Sequence, residues 1–358
     1  MKKMKKAMAL IMCLVLCTGA LAGCSGKPTA AKETTEKETA KAAQDETTAA
    51  ESQGASAVQK AVEKAGDKDH IVIGTSIYFM TEFCVLMVEG MQEEAERQNA
   101  ELVVLDAKND ASLQLNQIEN LISQQVDSII ISPVNSDAAE PALDLCEAAG
   151  IPISAVNMTI TTDRDYYYVG PNEIQAGELA AQWLIDNVGE DAKVCIIQGP
   201  IGCSAQIFRD EGIFNILDKH PGVEVLAIKP GDWNRNTAVS LTENWLTTYG
   251  DKLDAIISHD DDMGLGVVRA LQSAGKLEDV KVIACADGIE EACESVKAGE
   301  MSVTFFQDVF REGELSVEMA AKLARGEKIE EQQVLIDMIP TEKEYAQELL
   351  EDYYGPRK

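Results

Sequence analysis

Asp260 and Asp287 can be imagined as a carboxylate pair, one protonating a leaving oxygen while the other assists attack. Such a pair would cleave a glycosidic bond, and released product is its signature. Other catalytic chemistry has less support. The three histidines, His70, His220 and His259, are scattered along the chain, which speaks against a Ser-His-Asp triad or a zinc site. Cys84, Cys146, Cys195, Cys203, Cys285 and Cys293 show neither C-x-x-C nor Cys/His spacing, so no metal is expected. Cys285 with Cys293 is a conceivable disulfide. Free, buried thiols are the expectation, because a domain of this size needs no staple. Gly264-Leu-Gly266 opens a helical stretch after a strand, but Arg269 occupies the place of a third glycine, and Asp260, Asp261 and Asp262 would repel a pyrophosphate. No cofactor is implied.

These residues need elements to position them. Short β-branched runs at 71–75, 102–105, 128–132, 151–156, 166–169, 193–198, 223–228, 255–258, 280–285, 302–306 and 333–337 read as strands. Between most of them lie stretches with apolar positions at helical spacing, such as 83–98, 113–124, 174–187 and 262–274. Near-continuous Ile and Val strands separated by helices mean parallel sheet covered on both faces, hence a doubly wound α/β fold. Ligands of such sheets sit beyond the carboxyl ends of the strands. The polar residues found there are Ser76, Asp106, Asn135, Asn157, 199–204, 232–234, Asp260, Asp287 and Gln307.

Motifs in order along 71–340 carry a resemblance. They run Leu102-Val-Val-Leu-Asp106, Ile129-Ile-Ile-Ser-Pro133-Val-Asn-Ser-Asp137, Gly150-Ile-Pro-Ile, Arg209-Asp-Glu-Gly212, Gly231-Asp-Trp-Asn-Arg235, Asp260-Asp-Asp-Met-Gly-Leu-Gly266, Ala286-Asp-Gly288 and Phe305-Phe-Gln307. In this order the chain resembles the ribose/galactose-type periplasmic sugar-binding proteins, substrate-binding components of ABC importers with the type I solute-binding fold. The resemblance implies two doubly wound parallel-sheet lobes joined by a three-segment hinge. One lobe would hold 70–170 and 308–337, the other 171–307 and 338–358. It further implies a monomer that captures a monosaccharide or polyol, without enzymatic chemistry, and hands it to the transmembrane permease. Sugars are held by planar polar side chains on their hydroxyls and by aromatic faces on their C–H surfaces. In those roles the resemblance places Asp287, Arg209, Asp260, Asn157 and Gln307 as hydrogen-bonding residues and Trp233 and Phe83 as stacking residues, with Phe79 or Tyr78 the alternatives to Phe83. Asp260 falls where relatives commonly carry asparagine, and Met158 stands where ribose binders carry arginine, so ribose itself is a poor expectation. Two carboxylates against one guanidinium would also suit an amino sugar; a neutral hexose, pentose or cyclitol is the expectation.

The N-terminus sets location. Lys2, Lys3, Lys5 and Lys6 precede an apolar stretch at 7–20 and then Leu21-Ala22-Gly23-Cys24. A basic start and a short apolar core make a secretory signal at 1–23. The tetrad resembles a bacterial lipobox, with Cys24 lipidated, so that acyl chains hold the protein at the membrane on the extracytoplasmic side, either the outer surface or the periplasm. Residues 24–69, rich in Ala, Thr, Glu, Lys and Ser, carry too few large apolar side chains to pack and read as a flexible linker. A net charge of −30 argues against nucleic acid as partner. A repressor of the same fold would need a basic helix-turn-helix in place of this leader. A lipoprotein that presents a sugar or autoinducer-type ligand to a sensor kinase or chemoreceptor would carry the same cleft, and that reading stands beside import.

Overall fold

The computed structural model describes residues 70–355. The leader at 1–23, the lipidation site Cys24 and the linker at 24–69 lie outside the described residues.

The first lobe opens with β1 (Ile71–Ile77), α1 (Glu82–Arg97), β2 (Ala100–Asp106), α2 (Ala111–Ser123), β3 (Ser128–Ile131), α3 (Glu140–Ala149), β4 (Ile153–Val156) and β5 (Tyr167–Pro171). The second follows as α4 (Glu173–Asn187), β6 (Lys193–Gln198), α5 (Ser204–Leu217), β7 (Glu224–Pro230), α6 (Arg235–Tyr249), β8 (Ala255–Ser258), α7 (Asp261–Ala274), β9 (Lys281–Ala284), α8 (Glu290–Ala298) and β10 (Thr304–Phe306). The chain then returns through α9 (Val309–Arg325) and β11 (Gln333–Ile336) before ending in β12 (Ile339–Thr341) and α10 (Lys343–Asp352).

A six-stranded sheet in the order β11-β5-β4-β3-β1-β2 forms one lobe, and a four-stranded sheet in the order β7-β6-β8-β9 forms the other. Every pairing in both sheets is parallel. Ile71, Ile73, Ile129, Ile130 and Ile131 in β1 and β3, and Val194, Ile196, Ile197, Ile256 and Ile257 in β6 and β8, are fully buried or nearly so. Helices on both faces explain why these strands read as continuous apolar runs instead of alternating ones. All six cysteines of the described residues are buried and free, Cys285 and Cys293 included.

The chain passes between the lobes three times: from β5 into α4, from β10 into α9, and from β11 into β12. One element departs from the expected all-parallel pattern. β12 pairs antiparallel with β10, matching Thr304 with Thr341 and Phe306 with Ile339. Three residues around Pro340 carry no alternation to read, and the proline has no N–H to give a ladder.

Close helix pairs flank each sheet, and glycines set their approach. A Cβ on Gly90 of α1 would lie 2.1 Å from the Phe310 carbonyl oxygen, and one on Gly313 of α9 would lie 2.0 Å from that of Met87. The second lobe repeats the device. A Cβ on Gly177 of α4 would meet the Arg209 carbonyl oxygen at 2.1 Å, and one on Gly212 of α5 would meet that of Ile174 at 2.1 Å. Gly212→Ala should therefore push α4 and α5 apart and cost about 1–3 kcal/mol, as overpacking does. Urea unfolding measures it, and a wild-type midpoint would disprove the close crossing.

Candidate functional site

The carboxyl ends of both sheets open onto one cavity of about 300 Å³. The six-stranded lobe lines it with Tyr78, Phe79, Thr81, Glu82 and Phe83 after β1 and with Asn157 and Met158 after β4. From the four-stranded lobe come Arg209, Trp233 to Asn236, Asp260, Asp262, Asp287 and Ile289. Six of the seven residues singled out from the sequence therefore share its walls; Gln307 does not. Gln307 is fully buried at the crossover into α9, and its amide Nε2 donates to Glu312 Oε2 at 2.6 Å.

Arg209 is the centre of the charged wall. It lies on α5, 3% exposed, and does not pair with its neighbours Asp210 or Glu211. Its Nε and Nη2 donate to the two carboxylate oxygens of Glu173, at 2.6 and 3.1 Å, and Nη1 donates to the carbonyl of His259 at 2.5 Å. A guanidinium has five N–H donors; three are used here, so two remain for the cavity side. Burial works against the charge, but Glu173 and Asp287 outweigh it and hold Arg209 protonated above its ordinary range. Burial lifts the Glu173 carboxyl above its usual value, and Arg209 opposes that lift. Trp233 completes the group, its ring centroid 5.8 Å from the guanidinium carbon, within cation–π reach.

Backbone conformation aims several of these groups. Asn157, Asp232, Trp233 and Asp287 follow β4, β7 and β9 with φ of +62°, +57°, +53° and +101°. Residues other than glycine pay about 1–3 kcal/mol for such conformations and hold them where surroundings over-determine them, commonly at functional sites. For Trp233 the surroundings include Gly199, where a Cβ would fall 2.1 Å from the indole ring. For Asp287 they include Asp261, a fully buried carboxylate in the first turn of α7. Asp261 accepts from the Ile289 N–H at 2.8 Å and from the Thr304 hydroxyl at 2.5 Å. Its own N–H bonds the Asp287 carboxylate. It thus ties the 287–289 turn to both α7 and β10.

Asp260 has two roles at once. Its side chain caps α7 by accepting from the Met263 N–H at 2.9 Å, and it faces the cavity. Burial first, and the Asp287 charge second, push its carboxyl well above the ordinary range. Burial likewise raises Asp287 to about 6, against the opposing pull of Arg209. A protonated carboxyl donates as well as accepts, so an aspartic acid at 260 can meet a hydroxyl in the two ways an amide can. His259 beside it is fully buried and 3.3 Å from Asp210, and burial lowers its imidazole below the usual value, which keeps it neutral.

Across the cavity, Asn157 is 2% exposed and its Oδ1 has no hydrogen-bond partner within the chain. Its main chain is fixed by its N–H to the Val169 carbonyl at 2.9 Å and by the Tyr168 hydroxyl on its own carbonyl at 3.0 Å. Phe83 and Tyr78 are buried in the wall, whereas Phe79 stands at the rim, 36% exposed. At the mouth Arg235 joins Asp262 and Glu291 at 2.6 and 2.8 Å. Among the described residues, no cluster of His, Cys, Asp and Glu is arranged to hold a metal ion.

Glu173, Asp261 and Glu312 escape a reading of the sequence. Each sits in the first turn of a helix, where an acidic residue ordinarily reads as dipole complement and nothing more. Their partners lie far along the chain, Arg209 being 36 residues from Glu173.

Residues 73–328 match the family model described as the periplasmic binding protein domain. A xylitol-binding protein of Mycolicibacterium smegmatis is 35% identical over 272 residues, covering 76% of this chain and 77% of the relative. A ribose import binding protein of Bacillus subtilis is 31% identical over 267 residues, covering 74% and 86%. Among solved structures, an ABC transporter solute binding protein of Bacillus halodurans with bound myo-inositol is 35% identical with a TM-score of 0.74, covering 80% of this chain and 98% of that one.

The Glu173–Arg209 pair carries a consequence for stability. Glu173→Ala leaves a buried guanidinium without its counter-charge and should cost about 3–5 kcal/mol. Denaturant unfolding at neutral pH gives the number, and a loss under 1 kcal/mol would mean that water reaches Arg209.

Proposed function

This chain belongs to the periplasmic binding protein family, and we propose that it captures a monosaccharide or related polyol outside the cytoplasm and presents it to the permease of an ABC importer. The observation that carries this reading is the cavity itself. At about 300 Å³ it lies at the small end of ligand pockets, which run from about 300 to 1,000 Å³. A single ring or short polyol fits that space; a dinucleotide or an oligosaccharide does not. Its walls offer hydroxyl partners of both senses between aromatic faces.

In this reading the ligand's hydroxyls meet Arg209, Asp260 and Asp287 on one lobe and the free Oδ1 of Asn157 on the other. Trp233 covers one face of the ring, and Phe83 with Phe79 the other. Gln307 supports from behind the wall. The three crossovers act as the hinge, and ligand stabilises the closed form because only that form completes both sets of contacts. Burial raises the Asp260 carboxyl well above the ordinary range, which leaves one fewer negative charge for an amino sugar to pair with and favours a neutral ligand. The function needs closure and no bond chemistry. The lobes assigned from the sequence, 70–170 with 308–337 and 171–307 with 338–358, are the proposed moving bodies of a monomer. Lipidation at Cys24 would tether them to the extracytoplasmic face of the membrane.

A thermal-shift screen of the purified protein against xylitol, myo-inositol, pentoses, hexoses and amino sugars tests this. Ligand at 100 times its dissociation constant stabilises by about 2.7 kcal/mol, a visible rise in melting temperature. A flat screen across all classes would sink the polyol reading. With a hit in hand, Asp287→Ala should raise Kd about tenfold to a hundredfold, the cost of leaving ligand hydroxyls without their acceptor and removing a charge that faces Arg209. Calorimetric titration reads this, and wild-type affinity would remove Asp287 from the site.

A further inference from the structure

The crossover from β10 into α9 holds a polar cluster with too few protons. Glu312, fully buried in the first turn of α9, meets the Gln307 amide at 2.6 Å and the Asn157 amide. Three acceptor oxygens there have no partner: Glu312 Oε1, Gln307 Oε1 and Asn157 Oδ1. Asn157 Oδ1 has the cavity in front of it. The other two are enclosed, and a buried acceptor left without a donor costs about 1–3 kcal/mol. A proton on the Glu312 carboxyl supplies a donor where an ionised carboxylate would add a charge.

The surroundings point the same way. The charged and titratable groups that face Glu312 are Glu173 of α4, Asp308 at the cap of α9 and Tyr168 of β5. None is a cation, and Arg209, the cation of that region, is committed to Glu173. Burial first, opposed by the Gln307 and Asn157 amides, lifts Glu312 to about 8.

We propose that Glu312 is a positioning residue that works as a neutral carboxylic acid: its proton completes the crossover cluster and sets the Asn157 amide facing the cavity, so that affinity falls when Glu312 ionises. The proposal rests on the cavity being the ligand site and adds a residue that touches no ligand. A protonated Glu312 satisfies the cluster. An ionised one keeps the two amide N–H groups it already has but leaves Glu312 Oε1 and Gln307 Oε1 both without a donor and puts a charge behind Asn157, so the cluster would open or pull in water.

Isothermal titration of the full chain with myo-inositol and with xylitol, from pH 6.5 to 9.5, is the test. If only the protonated form is competent, the apparent Kd divides by the competent fraction. With Glu312 at about 8, wild-type affinity should be about tenfold weaker at pH 9 than at pH 7. Glu312→Gln keeps a neutral planar group with a donor, so it should bind as the wild type does at pH 7 and lose the alkaline fall. An alkaline fall shared by E312Q would overturn the proposal. A second measurement needs no ligand: carbonyl-13C NMR of glutamate-labelled protein follows the buried carboxyls directly, and E312Q identifies which resonance is Glu312. A Glu312 midpoint near 8 supports the proposal, and a Glu312 midpoint near the ordinary value of about 4.3 overturns it. Binding of neither polyol, with a midpoint near 8, counts against the ligand reading alone.

Discussion

A guanidinium cannot be kept charged inside a protein without a counter-charge fixed beside it, and the charged wall of this cavity is arranged around that requirement. Glu173 meets Arg209 through two parallel hydrogen bonds. A lysine could not reproduce that fork, because an ammonium offers a point charge in place of a plane of donors. The pair also demands proximity of α4 and α5, which the glycines at 177 and 212 permit by removing the side chains that would hold the helices apart. Helix packing, ion pairing and the presentation of two spare N–H donors to the cavity are therefore one problem with one solution. Such a pair is a poor source of net stability, since desolvating both ions costs about what their attraction returns. Its value lies in holding the guanidinium in one place and one protonation state.

Strain is concentrated in the same wall. The residues after β4, β7 and β9 adopt positive φ at Asn157, at Asp232 and Trp233, and at Asp287. Three of these four line the cavity. The cost is met by bonds that would otherwise have no reason to be there: Asp261 tying the 287–289 turn to α7, Gly199 leaving room for the indole, and Tyr168 fixing the Asn157 carbonyl. The site is thus set before a ligand arrives, and less of the binding free energy is spent on ordering loops.

Most of this was legible in the sequence for a physical reason. Buried parallel strands must be apolar along their whole length, so β1, β3, β6 and β8 announce themselves, and in a doubly wound sheet the polar residues past them fall at one edge. That logic found Asn157, Trp233, Asp260 and Asp287. It placed Gln307 at the same edge without seeing that the crossover turns its amide inward to Glu312. It passed over Glu173, Asp261 and Glu312, whose importance lies in partners across the fold. A first-turn carboxylate looks the same in sequence whether it faces water or a buried guanidinium. β12 was missed because three residues around a proline have no period, and only the partner strand β10 makes them a strand.

The division of labour between the lobes suggests an order of events for the proposed binding. Arg209, Asp260 and Asp287 all belong to the four-stranded lobe, and their geometry is fixed by bonds within it. The six-stranded lobe brings the aromatic loop at 78–83 and the one unpartnered acceptor of Asn157. In the proposed mechanism a ligand would meet most of its hydroxyl partners on the first set with the cleft open, because those donors and acceptors do not wait for closure. Closure would add a second aromatic face, a last hydrogen bond and the exclusion of water. These are the contacts that differ between open and closed forms, and only differential contacts move a conformational equilibrium. Affinity would then be set mainly by the four-stranded lobe and the signal of occupancy mainly by the six-stranded one. The crossover cluster of Gln307 and Glu312 sits directly behind Asn157, on an element through which the proposed signal would pass.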